Sequence, residues 1–194
     1  MVEDKEGAGR MMRRHIGALC LVLDMGPTQE TPMSTKTPRL DLFTAAPVLL
    51  KAYQQAMVSL AASAALEPAL SELVQIRVSQ INGCAHCLNL HLAEAREKGE
   101  SDRRLFLVSA WREAPCYTAR ERVALGWAEA LTRLPEGADH AAAYEELAAH
   151  FSEEERVKLT ILVNIISGWN RLAVGFGVFT EPAEVKASLR SAAA

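Results

Sequence analysis

From Pro47 onward the apolar residues recur every three or four positions, and the turn-forming residues fall where helices start or stop. No stretch alternates as a half-buried strand does, so this pattern leaves room only for packed helices. In PVLLKAYQQAMVSLAASA (47–64), Leu49, Leu50, Tyr53, Met57 and Leu60 carry the spacing. Pro68 suits a first helical turn, and ALSELVQIRVSQI continues that helix until Asn82-Gly83 interrupts it. A further helix is expected from near Cys84 to about Lys98, stopped by Gly99, and a short one capped by Ser101 through Trp111. Thr118 with Glu121, and Ser152 with Glu155, have the capping-box spacing. They open helices to about Thr132 and about Val174, with another at 139–150 between them and a last, weak one from Pro182. The expected fold is all-α, a single domain of seven or eight helices.

The chain has 194 residues, enough for one domain with a sizeable core, and 49% of them are hydrophobic, so it is not a disordered protein. A net charge of −3 argues against a nucleic-acid partner, which calls for a basic face. No uninterrupted apolar run approaches the ~20 residues of a membrane helix. MMRRHIGALCLVLDMG faintly resembles a secretory signal, but no A-x-A site follows it. Residues 1–32 are therefore expected to be a poorly ordered extension, with the domain at 33–194. Cys20 lies in that extension and is given no role. Four cysteines in a chain of this length do not make a disulfide scaffold; a reducing, cytoplasmic setting is expected.

CAHCLNLH (84–91) gathers two cysteines and two histidines in eight positions. At about 100° per residue, Cys87 lies about 60° and His91 about 20° from Cys84, whereas His86 lies about 200° away. Thiols at a helix start meet unpaired N–H groups and the positive end of the dipole, which favour the thiolate. Sulfurs at i and i+3 can close a disulfide. His91 can carry a proton, and a carboxylate behind it would hold its ring. The preceding helix offers Glu72, the only acid in LSELVQIRVSQI, for which a solvated charge is the plainer reading. Zinc would need Cys116 and a histidine to complete the C-x-x-C, and no metal or cofactor is expected.

The string from Leu70 to Ser101 resembles the alkylhydroperoxidase D / carboxymuconolactone decarboxylase superfamily. Its redox members carry a Glu, then C-x-H-C, then His, and Glu72, Cys84, His86, Cys87 and His91 match each position. The likeness continues through WREAPCYTARERVALGWAEALT (111–132) and NIISGWNRLAVGF (164–176). It implies an all-helical homo-oligomer, trimeric or hexameric, and a thiol-dependent peroxidase. Its partners would be a hydroperoxide substrate and an external dithiol or disulfide reductase. The same resemblance implies Glu72 and His91 as a proton relay. The decarboxylase branch typically lacks the C-x-x-C. A redox sensor without turnover and a decarboxylase-type enzyme are the alternatives. Dipole reasoning favours Cys84 as the attacking sulfur, and proximity to His91 favours Cys87. Cys116 reads as a small buried hydrophobe, and Trp111 and Trp127 as core or interface. Trp169-Asn170-Arg171 reads as packing and site wall, and His140 and His150 as solvated.

Overall fold

The computed structural model describes residues 37–179 apart from Ala138. Helices α1 (Leu42–Ala45), α2 (Pro47–Ser63), α3 (Pro68–Ile81), α4 (Ala85–Glu97), α5 (Asp102–Leu107), α6 (Ala119–Thr132), α7 (His140–His150) and α8 (Glu153–Phe176) follow in order. Two 3₁₀ turns, Val108–Ala110 and Leu134–Glu136, join α5 to α6 and α6 to α7. No strand occurs among the described residues, and the expected all-α class holds. The extension at 1–32, Cys20 and the helix expected from Pro182 lie outside the described residues.

Local chemistry accounts for the boundaries. Pro47 and Pro68 occupy first turns, where a missing N–H is harmless. Thr118 and Ser152 each accept a backbone N–H while Glu121 and Glu155 reach back, closing both capping boxes. Gly83 takes φ 65 in the turn from α3 to α4, a conformation that strains any residue with a Cβ. One boundary differs from expectation: the helix after Ser101 ends at Leu107 and tightens into a 3₁₀ turn. Three residues per turn set Val108 and Trp111 on one side, and both are buried in the same cluster.

Helix α3 is the axis of the fold and packs against α4, α6 and α8. Its Leu70, Val74 and Val78 join one apolar cluster with Trp127 of α6 and Leu159, Val163 and Ile166 of α8. Its Leu73 and Ile76 face a second cluster with Ala95, Leu105, Val108, Trp111 and Leu125. A helix covered on both sides is apolar nearly all round. Trp111 and Trp127 are core residues, as expected. Glu129 is buried as well, and it accepts hydrogen bonds from Trp111 Nε1 (2.9 Å), Arg77 Nε (2.6 Å) and Arg112 (2.5 Å). Burial of that carboxylate is tolerated because every donor around it is cationic or an indole N–H.

Two readings are corrected here. Helix α8 runs 24 residues and contains an 18-residue stretch of mean hydropathy 1.3, long and apolar enough to cross a membrane, although no unbroken apolar run suggested it. Its first turn carries Glu153, Glu154 and Glu155, and its apolar face lies in the core, so it is read as a core helix. In α2 the apolar spacing is present, but within this chain only Leu50 is buried; Leu49 is 68% and Val48 83% exposed.

Candidate active site

The site is built where the end of α3, the start of α4 and the middle of α8 meet. Cys84 is the N-cap of α4, with φ −87 and ψ 91, and its Sγ accepts the Cys87 N–H at 3.3 Å. The sulfur thus takes the place of a capping oxygen, facing the positive end of the helix. Cys84 and Cys87 are free thiols, 1% and 3% exposed. A thiol–thiol hydrogen bond from Cys87, together with the Cys87 N–H, brings the Cys84 thiol down to about 7 against the opposing effect of burial. Sharing that bond, burial and the neighbouring negative charge push the Cys87 thiol up. The α4 cap thus favours negative charge at Cys84 over Cys87.

Along α4, Cys87, His91, Glu94 and Lys98 succeed one another at spacings of four, three and four, which keeps them on one stripe. Glu72 faces this stripe from α3 and is 2% exposed. His91 Nδ1 donates to Glu72 Oε2 at 3.0 Å and stands 3.6 Å from Glu94 Oε2. Lys98 Nζ donates to the other oxygen of Glu72 and lies 3.9 Å from Glu94. Burial alone would lower His91, but Glu72 and Glu94 outweigh it and hold the ring at about 9. For Glu72 burial acts upward, and His91 and Lys98 reverse it, so the carboxyl is held below its usual range. The Nδ1 bond leaves Nε2 as the position for an exchangeable proton. The solvated reading of Glu72 is overturned: α3 is wrapped on both sides, and the carboxylate is tolerated there because two cations meet it.

His86 is half-buried in the first turn of α4, and its imidazole is pushed down first by burial and then by the charge of His91. His140 is not simply solvated, because its Nε2 meets the Ala130 carbonyl at 3.1 Å; His150 is exposed. Cys116 is half-buried at the margin of the second cluster.

Glu72, His91 and Glu94 could bring three ligand atoms together, and among the described residues no such group includes a cysteine. The two carboxylates are already balanced by the His91 imidazolium and Lys98 within the chain. Sequence reasoning missed Glu94 and Lys98, and read Asn170 only as packing and site wall. The first two continue the stripe of Cys87 and His91 and were legible from it. Asn170 comes from α8, and no local signal marks it.

The described residues thus form an all-helical domain with two thiols at a helix cap beside a buried carboxylate–imidazole pair. Residues 47–130 match the carboxymuconolactone decarboxylase family. The chain is 38% identical over 106 residues to the uncharacterized protein YdfG of Bacillus subtilis, spanning 55% of this chain and 72% of that one. A protein of unknown function from Agrobacterium tumefaciens, provisionally named an antioxidant defence protein AhpD, is 41% identical with a TM-score of 0.71, covering 75% of this chain and 99% of that one. The debrominase Bmp8 shares the fold at 21% identity and a TM-score of 0.62, covering 74% of this chain and 77% of that one. The chain belongs to the carboxymuconolactone decarboxylase family, within the alkylhydroperoxidase D-like superfamily.

Proposed function

We propose that this protein is a thiol-dependent peroxidase that reduces hydroperoxides through Cys84 and Cys87. The observation that carries the reading is the single thiolate at the α4 cap, hydrogen-bonded to a second thiol and near a charged histidine. The Cys84 thiolate attacks the distal oxygen of ROOH, the O–O bond breaks, and a proton from His91 completes the departing ROH. Cys84 is left as a sulfenic acid. The Cys87 sulfur then attacks Cys84, water leaves with the Cys87 proton, and the Cys84–Cys87 disulfide forms. An external dithiol reduces the disulfide by exchange and becomes a disulfide itself, so the two electrons given to the peroxide are returned. Glu72 holds the His91 ring and stabilises its charged form, and Lys98 holds Glu72.

His86, half-buried in the first turn of α4, is assigned to the same site from its place between the two cysteines. Buried free thiols suit a reducing compartment such as the cytoplasm. We further infer a homo-oligomer, trimeric or hexameric, supported by the exposed Val48, Leu49, Val58 and Leu60 on α2.

Peroxide consumption by the purified protein with a generic dithiol, with and without prior alkylation, tests the reading. Catalytic turnover that alkylation abolishes is the expected result. One equivalent consumed and no more would favour a redox sensor. An activity on a lactone or carboxylic acid that survives alkylation would favour the decarboxylase type and remove the thiols from the chemistry.

A further inference from the structure

Lys98 is the C-cap of α4, where a lysine ordinarily serves only the negative end of its helix. Its side chain is 45% exposed, yet its ammonium turns inward to α3. Nζ donates to Glu72 Oε1 and lies 3.9 Å from Glu94 Oε2. His91 Nδ1 meets the other Glu72 oxygen at 3.0 Å and stands 3.6 Å from the same Glu94 oxygen. Two cations and two carboxylates therefore alternate around a square. One cation is an imidazole, which titrates near neutrality; the other is an amine, a type that keeps its charge there. The remaining charges nearby are engaged elsewhere. Arg96, also in the last turn of α4, goes to Asp102 at 2.6 Å, and Arg77, the other charged residue of α3, goes to Glu129 at 2.6 Å. Among the described residues, α8 makes its ion pairs from residues 153–158 alone. At the start of α4, Cys84 and His86 also lie in the field of the His91 ring.

A proton donor has to function in both of its charge states. While His91 is an imidazolium, it balances Glu72 itself. Once it has given its Nε2 proton to a departing alkoxide, it balances nothing. A carboxylate only 2% exposed, with no other cation beside it, would then be costly to keep ionised. The ring would hold its proton more tightly and donate it less readily. We propose that Lys98 is a positioning residue of this site, acting through Glu72 as the standing counter-charge that keeps the carboxylate ionised and turned to Nδ1 while His91 is without its proton. The proton returns to His91 from the external dithiol that reopens the disulfide, so Lys98 carries the site through that half of the cycle without reacting. Donation by His91 rests on the peroxidase reading, whereas the hold of Lys98 on Glu72 and His91 does not.

The test is therefore made on the ring. The His91 imidazole of the full-length protein is titrated by NMR up to pH 10, in the parent and in K98M, K98Q and K98R. Removing a cation makes every neighbouring group hold its proton more tightly. K98M is expected to raise the His91 titration from about 9 by about one pH unit, the low end for a neighbouring charge because Lys98 is partly solvated. At pH 9 the ring would go from about half to about nine-tenths charged. K98Q keeps a donor for Glu72 but not the charge; it is expected to move the ring as K98M does, and it decides should K98M not fold. K98R restores the charge and is expected to titrate with the parent. A lower melting temperature would follow from losing any lysine at a helix end, so the ring decides. A folded K98M or K98Q whose ring titrates with the parent's or below it overturns the proposal. So does a K98R ring that moves as far as that of K98M, since the shape of lysine rather than its charge would then be responsible. A parent without peroxide turnover but with a raised K98M ring overturns the peroxidase reading and leaves the counter-charge role standing.

Discussion

Replacing Glu72 with Gln (E72Q) removes the charge that holds His91 and leaves the shape. In the folded protein His91 is raised from its ordinary 6.5 to about 9, although burial acts the other way. At about 1.4 kcal/mol for each pH unit, that preference for the charged ring amounts to roughly 3 kcal/mol, shared between Glu72 and Glu94. Breaking a buried pair by removing one partner costs about 3–5 kcal/mol when the other charge is stranded. His91 escapes that limit by releasing its proton, and Lys98, 45% exposed, turns to solvent, so the loss stays near the lower figure. The sign follows from the raised value. The contribution of His91 is fully present below about pH 6.5 and is lost as pH rises through about 9. Denaturant unfolding of the parent and E72Q at pH 6 and pH 10, with an NMR titration of the His91 ring, measures it. The stability difference is expected to be large at pH 6 and much smaller at pH 10, with the E72Q ring titrating below 7. An equal difference at both pH values, or an E72Q ring still charged at pH 8, would refute the assignment of Glu72 as the holding group.

Peroxide consumption is expected to follow a bell, rising through about 7 as Cys84 ionises and falling through about 9 as His91 loses its proton; a flat rate from pH 6 to 10 would contradict it. C87S is expected to consume one equivalent and stop with Cys84 as the sulfenic acid, whereas C84S loses the rapid reaction, because Cys87 stays a buried thiol. Multiple turnover by either variant, read as peroxide consumed per protein, would rule out the two-cysteine cycle. G168A would drive a Cβ into the Tyr53 hydroxyl and is expected to cost about 1–3 kcal/mol. Y53F removes that hydroxyl, leaving the ring carbon at an ordinary 3.6 Å, so G168A/Y53F is expected to melt above G168A alone.

The helices were legible in the chain because their signals are local. Pro47, Pro68, Ser101, Thr118 and Ser152 act on groups within one turn, and each marks a boundary that the structure keeps. Where two neighbouring requirements compete, the local signal falls short. The segment after Leu107 tightens into a 3₁₀ turn because Val108 and Trp111 must reach one cluster. The stripe Cys87, His91, Glu94 and Lys98 was likewise readable from spacing alone, although only its first half was read.

Burial and cross-helix partnership are sums over several segments, and no single segment contains them. Glu72 looks like a surface charge until α4, α6 and α8 close around α3, and only then do His91 and Lys98 make its burial tolerable. The apolar spacing of α2 predicts a buried face, yet Leu49 and Val48 stay outside because no element among the described residues covers them. Helical angles alone left the choice between Cys84 and Cys87 open. The cap geometry favours Cys84, which is extended and receives the N–H of Cys87. Asn170 reaches Ser79 and Asn82 only because α8 packs against the end of α3. The sequence by itself determined the helical class and the pair of thiols at a helix start, because both rest on contacts a few residues apart. Tertiary structure alone decided which distant groups surround the thiols and His91, because electrostatics in a buried site depends on what surrounds a group.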